Sequence, residues 1–590
     1  MYLQRIYGRR TSVLSASLLL ASVLMPSGIL GADEAATAAA PSTTSSTTGP
    51  QTPNDEIARL RAALAAQQKQ LETLQKTMEQ QQKLLEKALD QGTPATNAQL
   101  ALRPNLGTVA SLSPVVPGPA PASLAIPSLA QPAPQAAPAS AGGNPCEGPE
   151  RSTVPTYLRL GNVCIVPIGF MDLTSVWRDK NAGSSMGSNF GSIPYNNTVN
   201  GNLSEFRFTP QNSRIGFRID GDWKGTHFIG YNEFDFNGTS GSNGIAVNNG
   251  AFVPRLRLFW VDARRSKIEF LAGQSWSLLT PNRRGLSALP GDLFYSQVID
   301  INYIAGLTWT RQPGMRILYH PSDKVTFGFS AEQPDQYAGG SAGGSTITYP
   351  AAFASLANAQ LDISQNVSAG QNILNQPTVT PDFIAKVAFD PNSRFHVDLA
   401  GIERNFKTVN PSLLSQHFTT EGGGVELGIN AEIFKGFRLI NTDYWSDGGG
   451  RYIFGQAPDV IVRADGSLSP IHSGGFIGGF EDTVKNTLLY AYYGVDYIGR
   501  DLTYTSATAA PVGYGPISSD GQNRAINEVT FGFNQTIWRD PRFGAINLMG
   551  QYEWLEREPW FAATTAPKAT HDNTIYVNVR YTLPGQMPNF

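Results

Sequence analysis

The stretch Ser213–Trp223, SRIGFRIDGDW, alternates without interruption. Ile215, Phe217 and Ile219 fall on one side of an extended chain, and Arg214, Gly216, Arg218 and Asp220 fall on the other. A strand with large apolar residues on one face and arginine and aspartate on the other sits between two different environments. The pattern returns in KVTFGFSAE (Lys324–Glu332), GVELGINAEI (Gly424–Ile433), NEVTFGFNQ (Asn527–Gln535) and TIYVNVRYTL (Thr574–Leu583). Weaker versions occupy 168–178, 226–236, 254–262, 267–276, 302–311, 314–320, 382–390, 394–404, 436–445, 485–498 and 543–555, for about sixteen strands in all.

Two architectures accept such strands: a soluble sandwich or barrel with a dry core, and a membrane barrel with an apolar outside and a polar lumen. Connection lengths decide between them. DGDWKG, HPSDK, FDPNSR, IFKGF and WRDPRFG are tight, whereas 179–204, 237–251, 333–380 and 456–484 are long and polar. Short turns alternating with long loops are the arrangement of a transmembrane barrel. Trp177, Trp223, Trp260, Trp445, Trp538 and Trp554, near strand ends, are expected in the interfacial girdles. Residues 157–590 are therefore read as an all-β, transmembrane antiparallel β-barrel.

The preceding residues differ in character. Arg5, Arg9 and Arg10 lead into VLSASLLLASVLM, and Gly31 and Ala32 follow, which marks 1–32 as a secretory signal peptide. An uncleaved anchor is the alternative, although the apolar run is shorter than the ~20 residues a span needs. Residues 33–54 are Ala/Ser/Thr/Pro-rich and expected to be disordered. Over 55–90, Ile57, Leu64, Leu71, Met78 and Leu85 recur every seven places, with Leu60, Gln67, Leu74, Gln81 and Ala88 between them. That seam predicts a short coiled-coil helix that pairs with copies of itself. A Pro/Ala-rich linker, 91–156, joins it to the barrel. Export favours a disulfide between the two cysteines, Cys146 and Cys164, with unpaired thiols as the alternative. No His lies near either one, so a metal site is not expected, and no cofactor is implied.

The chain of 590 residues has 59 Gly and only 15% charged residues, and its formal charge is −3 before the signal arginines are removed. A mildly acidic exported protein is not a nucleic-acid binder by its overall electrostatics. An enzyme is not expected either. His227, His320, His396, His417, His472 and His571 are scattered, and neither G-x-S-x-G nor H-E-x-x-H occurs.

Parity assigns the lumen, because a charge facing lipid near the midplane costs ~2–4 kcal/mol. Arg214, Arg218, Arg255, Arg257, Arg311, Arg316, Arg404 and Arg580 point inward, as do Asp220, Glu233, Asp235, Glu332, Glu426, Glu432 and Glu528. An arginine ladder opposite a carboxylate wall would make a cationic stripe for anions. In the alternative, the two sets pair and brace the barrel. The segment SLLTPNRRGLSALPGDLFYSQVID carries Arg283 and Arg284 and is apolar enough to pack. It is expected to fold into the barrel and form the constriction with Arg255, Arg257 and Arg316; the other reading is an outer loop at a seam between copies.

SRIGFRI, RLRLFWVD, FLAGQSWS, TRQPGMRILY and AGIERNF, after a signal, a coiled coil and a linker, resemble the DcaP-like porins of Gram-negative outer membranes. LAGQSWS followed by RQPGMR is the most specific part. The resemblance implies a homotrimer of sixteen-stranded barrels in outer-membrane lipid, zipped by periplasmic helices and passing small anionic solutes such as dicarboxylates. The Pro/Ala linker, the cysteine pair and the tail PGQMPNF depart from it. Pro584 and Pro588 interrupt the alternation before Phe590, so the last strand is expected to end near Leu583. Two other functions stay open: a barrel-anchored tether with peptidoglycan as partner, and a sugar or neutral-solute porin with Tyr490, Tyr492 and Trp276 as a stacking path.

Overall fold

The computed structural model describes residues 158–182, 186–238, 252–294, 296–339, 346–356, 378–453, 457–505, 509–516 and 521–584. The expected signal, the 33–54 stretch, the helix seam of Ile57, Leu60, Leu64, Leu71, Leu74, Met78 and Leu85, and Cys146 lie outside these residues.

A strand immersed in lipid must have its backbone donors and acceptors paired on both edges. Closure of the sheet meets that need. The strands are β1 (Val163–Arg178), β2 (Arg214–Trp223), β3 (Thr226–Gly238), β4 (Val253–Arg265), β5 (Ile268–Trp276), β6 (Arg311–Ser322), β7 (Val325–Glu332) and β8 (Asp382–Asn392). They continue as β9 (Phe395–Asn410), β10 (Leu413–Phe434), β11 (Phe437–Asp447), β12 (His472–Val484), β13 (Thr487–Ile498), β14 (Asn523–Asp540), β15 (Gly544–Pro559) and β16 (Thr570–Thr582). Each is antiparallel to the next, and β16 returns to β1, with Phe170 opposite Thr582 and Arg178 opposite Thr574, closing a sixteen-stranded barrel. Two short segments join the same sheet. Leu158–Leu160 folds back on β1, and Glu205–Thr209 continues the line of β2 along the outer half of β1. Pro210, with no N–H for the ladder, stands at the break between that segment and β2.

Seven turns of two or three residues join alternate strand pairs at one end of the barrel. In the first, Lys224 and Gly225 both take positive φ, the geometry whose twist matches a hairpin. The longer connections gather at the other end, except that Pro411 and Ser412 alone join β9 to β10. Exposure follows parity: Ile215 and Phe217 are 47% and 41% exposed on the outer face, while Asp220 on the same strand is fully buried inside.

Three expectations are corrected. Residues 302–310 are not a strand but part of the connection between β5 and β6. Conversely His472–Val484, inside a stretch read as a long loop, is β12. The strand total survives because one error removes what the other adds. Trp260 points inward, 4% exposed and stacked on Tyr231 at 5.4 Å, rather than into a girdle. A bulge at Arg257 explains it: Glu233 pairs with Leu258 and Phe234 with Leu256, so parity slips by one residue beyond Arg257. Trp177, Trp223, Trp445 and Trp538 do lie exposed on the outside. Cys164 is buried and disulfide-bonded.

Candidate functional site: the inward loop and its charged wall

The connection 277–310 leaves the rim and crosses the interior. A buried loop carries backbone amides that need acceptors, and the inward strand faces supply them. Leu278 N–H donates to Glu332 Oε1 on β7 (2.8 Å), Asn282 N–H to Asp398 Oδ2 on β9 (2.9 Å) and Gly285 N–H to Asp390 Oδ2 on β8 (3.1 Å). Further on, Ile299 N–H donates to Gln551 Oε1 on β15 (2.7 Å) and Ala305 N–H to Glu528 Oε2 on β14 (2.8 Å). Apolar side chains complete the attachment: Phe294, Ile304 and Leu307 pack with Trp260, Leu271 and Tyr490, and Leu278, Leu279 and Leu286 pack with Leu318 and Ile384.

Where Ala305 and Gly306 rest on β12 and β13, the wall residues Gly475 and Gly494 have no side chains. A Cβ on Gly475 would lie 2.3 Å from Gly306 O, and one on Gly494 would lie 2.2 Å from Ala305 O. Gly306 itself, at φ +84°, would meet Val495 O at 2.5 Å and Phe476 O at 2.6 Å. Only glycine permits this approach of loop backbone to strand backbone.

Six of the seven acidic residues expected to form a wall opposite the arginines divide instead between two tasks. Glu332, Glu426 and Glu528 hold the loop, Glu426 by accepting from Thr308 Oγ1 at 2.7 Å. Asp220, Glu233 and Asp235 sit beside arginines on their own or neighbouring strands and neutralise them. Arg218 grips Asp220 with two nitrogens (2.9 and 2.8 Å), and Arg255 does the same to Asp235 (3.0 and 2.6 Å). Arg257 donates to Glu233 Oε1 (2.6 Å), Asp235 Oδ2 (2.8 Å) and the Tyr303 hydroxyl (3.1 Å). Glu432 stays at the turn end, accepting from Gly436 N–H at 2.9 Å. The reason is physical: in a crowded lumen a carboxylate is worth more as an acceptor for a buried amide or guanidinium than as a free charge.

The remaining basic residues are placed as follows. Arg214 lies 3.5 Å from Glu233, and both Arg214 and Arg580 stack on Phe170, with Arg580 also bound to Asp172 at 2.9 Å. Arg316 donates to Ser275 Oγ and Trp276 O. Arg404 binds Asp382 (3.0 Å) and Asp459 (2.7 Å) and lies over Phe406 and Tyr452. Arg283, on the inward loop, is tied to Glu481 on β12 by two bonds of 2.8 and 2.6 Å, while half-buried Arg284 beside it has no ion pair among the described residues. Arg311 differs from all of these. Its guanidinium lies over Trp276 (5.5 Å) and Trp309 (5.8 Å), its Nη1 is buried, and it makes no hydrogen bond or ion pair among the described residues.

Sequence reasoning missed Tyr303 and Trp309, which fall in the segment misread as a strand. Tyr303 takes φ +63°, a costly conformation for a non-glycine residue. It is held there by the Arg257 contact and by ring contacts with Trp276 (6.0 Å) and Trp309 (5.7 Å). The clustering of aromatics in INYIAGLTWT was the available signal. Tyr490 and Tyr492 stack on each other at 5.6 Å, both 2% exposed beneath the loop, and their hydroxyls are spent on Gln551 and Glu481. His396 is buried between Asp390 and Asp398 as a wall residue, at 2.9 Å from each. Among the described residues no group of three or more His, Cys, Asp or Glu is placed to hold a metal ion.

No protein-family model matches the sequence, and no curated relative does. Solved structures do match. The outer membrane channel DcaP of Acinetobacter baumannii aligns over 72% of this chain and 99% of its own, at 15% identity and a TM-score of 0.51. The barrel has the DcaP channel fold. The likeness read from SRIGFRI and LAGQSWS thus extends to the architecture, a porin-like outer-membrane channel fold. Matches at lower TM-score include the anion-selective porin from Comamonas acidovorans (12% identity, 71% of this chain, 100% of that one, 0.39) and OmpF of Salmonella typhi (10%, 72%, 100%, 0.40).

Proposed function

We propose that the chain is an outer-membrane porin of a Gram-negative bacterium, through which small anionic solutes, dicarboxylates among them, diffuse passively. Three copies are joined through the periplasmic heptad helices, and Cys146 is the disulfide partner of Cys164. The observation that carries the anion preference is Arg311. Its neighbours Arg255 and Arg257 are bonded to Glu233 and Asp235, whereas Arg311 lies over two indole rings and forms no ion pair among the described residues. An unpaired guanidinium in a low-dielectric aromatic setting binds a passing carboxylate more strongly than one already paired.

A second reading, the barrel as anchor for a cell-wall tether, is favoured by how completely the interior is packed: Arg257 and Arg404 are 2% and 1% exposed. One experiment separates the two. Single channels in a planar bilayer under a salt gradient give the reversal potential, and a dicarboxylate is then added. Anion-selective openings blocked by the dicarboxylate support the porin; silent bilayers from a folded barrel support the anchor.

A further inference from the structure

The short-turn end of the barrel has a feature that the pore does not use. Each of the seven turns holds an exposed cation: Lys224, Lys267, Lys324, Arg394, Lys435, Lys485 and Arg542. None of the seven makes an ion pair among the described residues. We propose that this ring docks the phosphate headgroups of anionic phospholipids in the membrane leaflet around the short-turn end. The inference rests on the reading of the barrel as membrane-embedded.

Three observations favour lipid. The cations surround the whole perimeter, as a leaflet does, whereas a polymer strand or a single protein partner would meet an arc of it. In six of the turns the cation is next in sequence to an exposed apolar residue of the outer belt: Trp223, Ile268, Phe395, Phe434, Val484 or Phe543. An apolar side chain in the acyl region with a cation beside it at headgroup level is the amphipathic arrangement of a membrane interface, and the Lys224 ammonium already lies 4.8 Å over the Trp223 ring. Carboxylates do not cancel the charge. Asp222 and Asp323 are the exposed acids of this rim among the described residues; Asp222 is hydrogen-bonded to His227 (2.9 Å), and the half-buried Asp540 accepts from the backbone of Arg542 and Phe543. The opposite end mixes both signs, with Glu403, Glu421 and Asp465 exposed alongside Lys407, Arg463 and Lys568.

The test uses the full-length protein in bilayers of phosphatidylcholine containing a minority of phosphatidylglycerol, with retained lipids identified by mass spectrometry after mild extraction. The expected result is about a fivefold enrichment of phosphatidylglycerol per turn site, the equivalent of ~1 kcal/mol per surface cation, falling as salt is raised. In the variant K224Q/K267Q/K324Q/R394Q/K435Q/K485Q/R542Q the preference is lost while single-channel conductance is unchanged. A conducting wild-type barrel that retains both lipids equally, or a preference that survives the variant, overturns this proposal alone. Turn-cation-dependent sedimentation with isolated peptidoglycan, without lipid preference, also overturns it and assigns the ring to the cell wall. A chain that enters neither bilayer overturns the membrane reading and this proposal with it. If the sevenfold variant does not fold, the salt titration of wild-type lipid retention decides.

Discussion

Ala305 N–H donates to Glu528 Oε2 across 2.8 Å, tying the last part of the 277–310 loop to β14 on the barrel wall. The same arrangement recurs at Leu278 with Glu332 and at Asn282 with Asp398, so the loop is positioned by carboxylates that sequence parity alone would assign to an open lumen. In the proposed porin, the width of the passage is set by the bonds that hold this loop.

Glu528→Leu leaves the Ala305 amide without an acceptor, at a cost of ~1–3 kcal/mol. Noisier and larger single-channel openings are expected, with a lowered thermal midpoint. Glu528→Gln keeps a carbonyl acceptor and should stay near wild type in both measurements.

Arg311→Leu removes a guanidinium that lies over two indole rings and makes no ion pair among the described residues. Anion over cation permeability, read from the reversal potential, should fall at least about fivefold, since even water-screened unit charges at contact interact by ~1 kcal/mol. The double substitution Arg283→Leu with Glu481→Leu removes a neutral pair and should leave selectivity nearly unchanged. A larger shift from the pair than from Arg311 would reassign the selective group to the loop.

Arg404→Leu breaks a network in which Asp382 and Asp459 are both fully buried. Removing one partner of such a cluster costs ~3–5 kcal/mol, measurable as urea unfolding from lipid vesicles. Arg404→Lys keeps the charge but loses the planar group lying over Phe406 and Tyr452, so an intermediate loss is expected.

Gly475→Val places a side chain where Gly306 O now stands. Overpacking of this kind costs ~1–3 kcal/mol, and here the cost falls on the contact between loop and wall. Altered conductance together with a lower midpoint is the expected pair of results; a change in midpoint alone would separate the loop's position from the pore's width.

Leu64→Glu with Leu71→Glu places charges in the heptad seam. Sedimentation in detergent should show trimers giving way to single barrels, while each barrel still conducts. Trimers that survive the change would locate the association in the barrels themselves.

Much of the architecture was legible in the sequence, because side-chain alternation is a local property with period two. SRIGFRIDGDW and its counterparts determined the strand type, which face meets lipid and which charges point inward, and the tight turns determined the ordering of the two ends. The pairing of those charges was local only in part: Arg218 and Asp220 are two residues apart, but Arg283 and Glu481 stand 198 residues apart and meet only because the barrel closes and the loop folds inward. The two misread segments have a single cause. INYIAGLTWT reads as a strand by its own composition, and SGGFIGGF reads as a loop. In the folded barrel the first lies against the second, and the glycines of β12 leave room for the loop backbone. A glycine that serves such an approach cannot be told from one that serves a turn until the partner backbone is in place, so tertiary structure alone decided where the inward loop sits and which arginine it leaves unpaired.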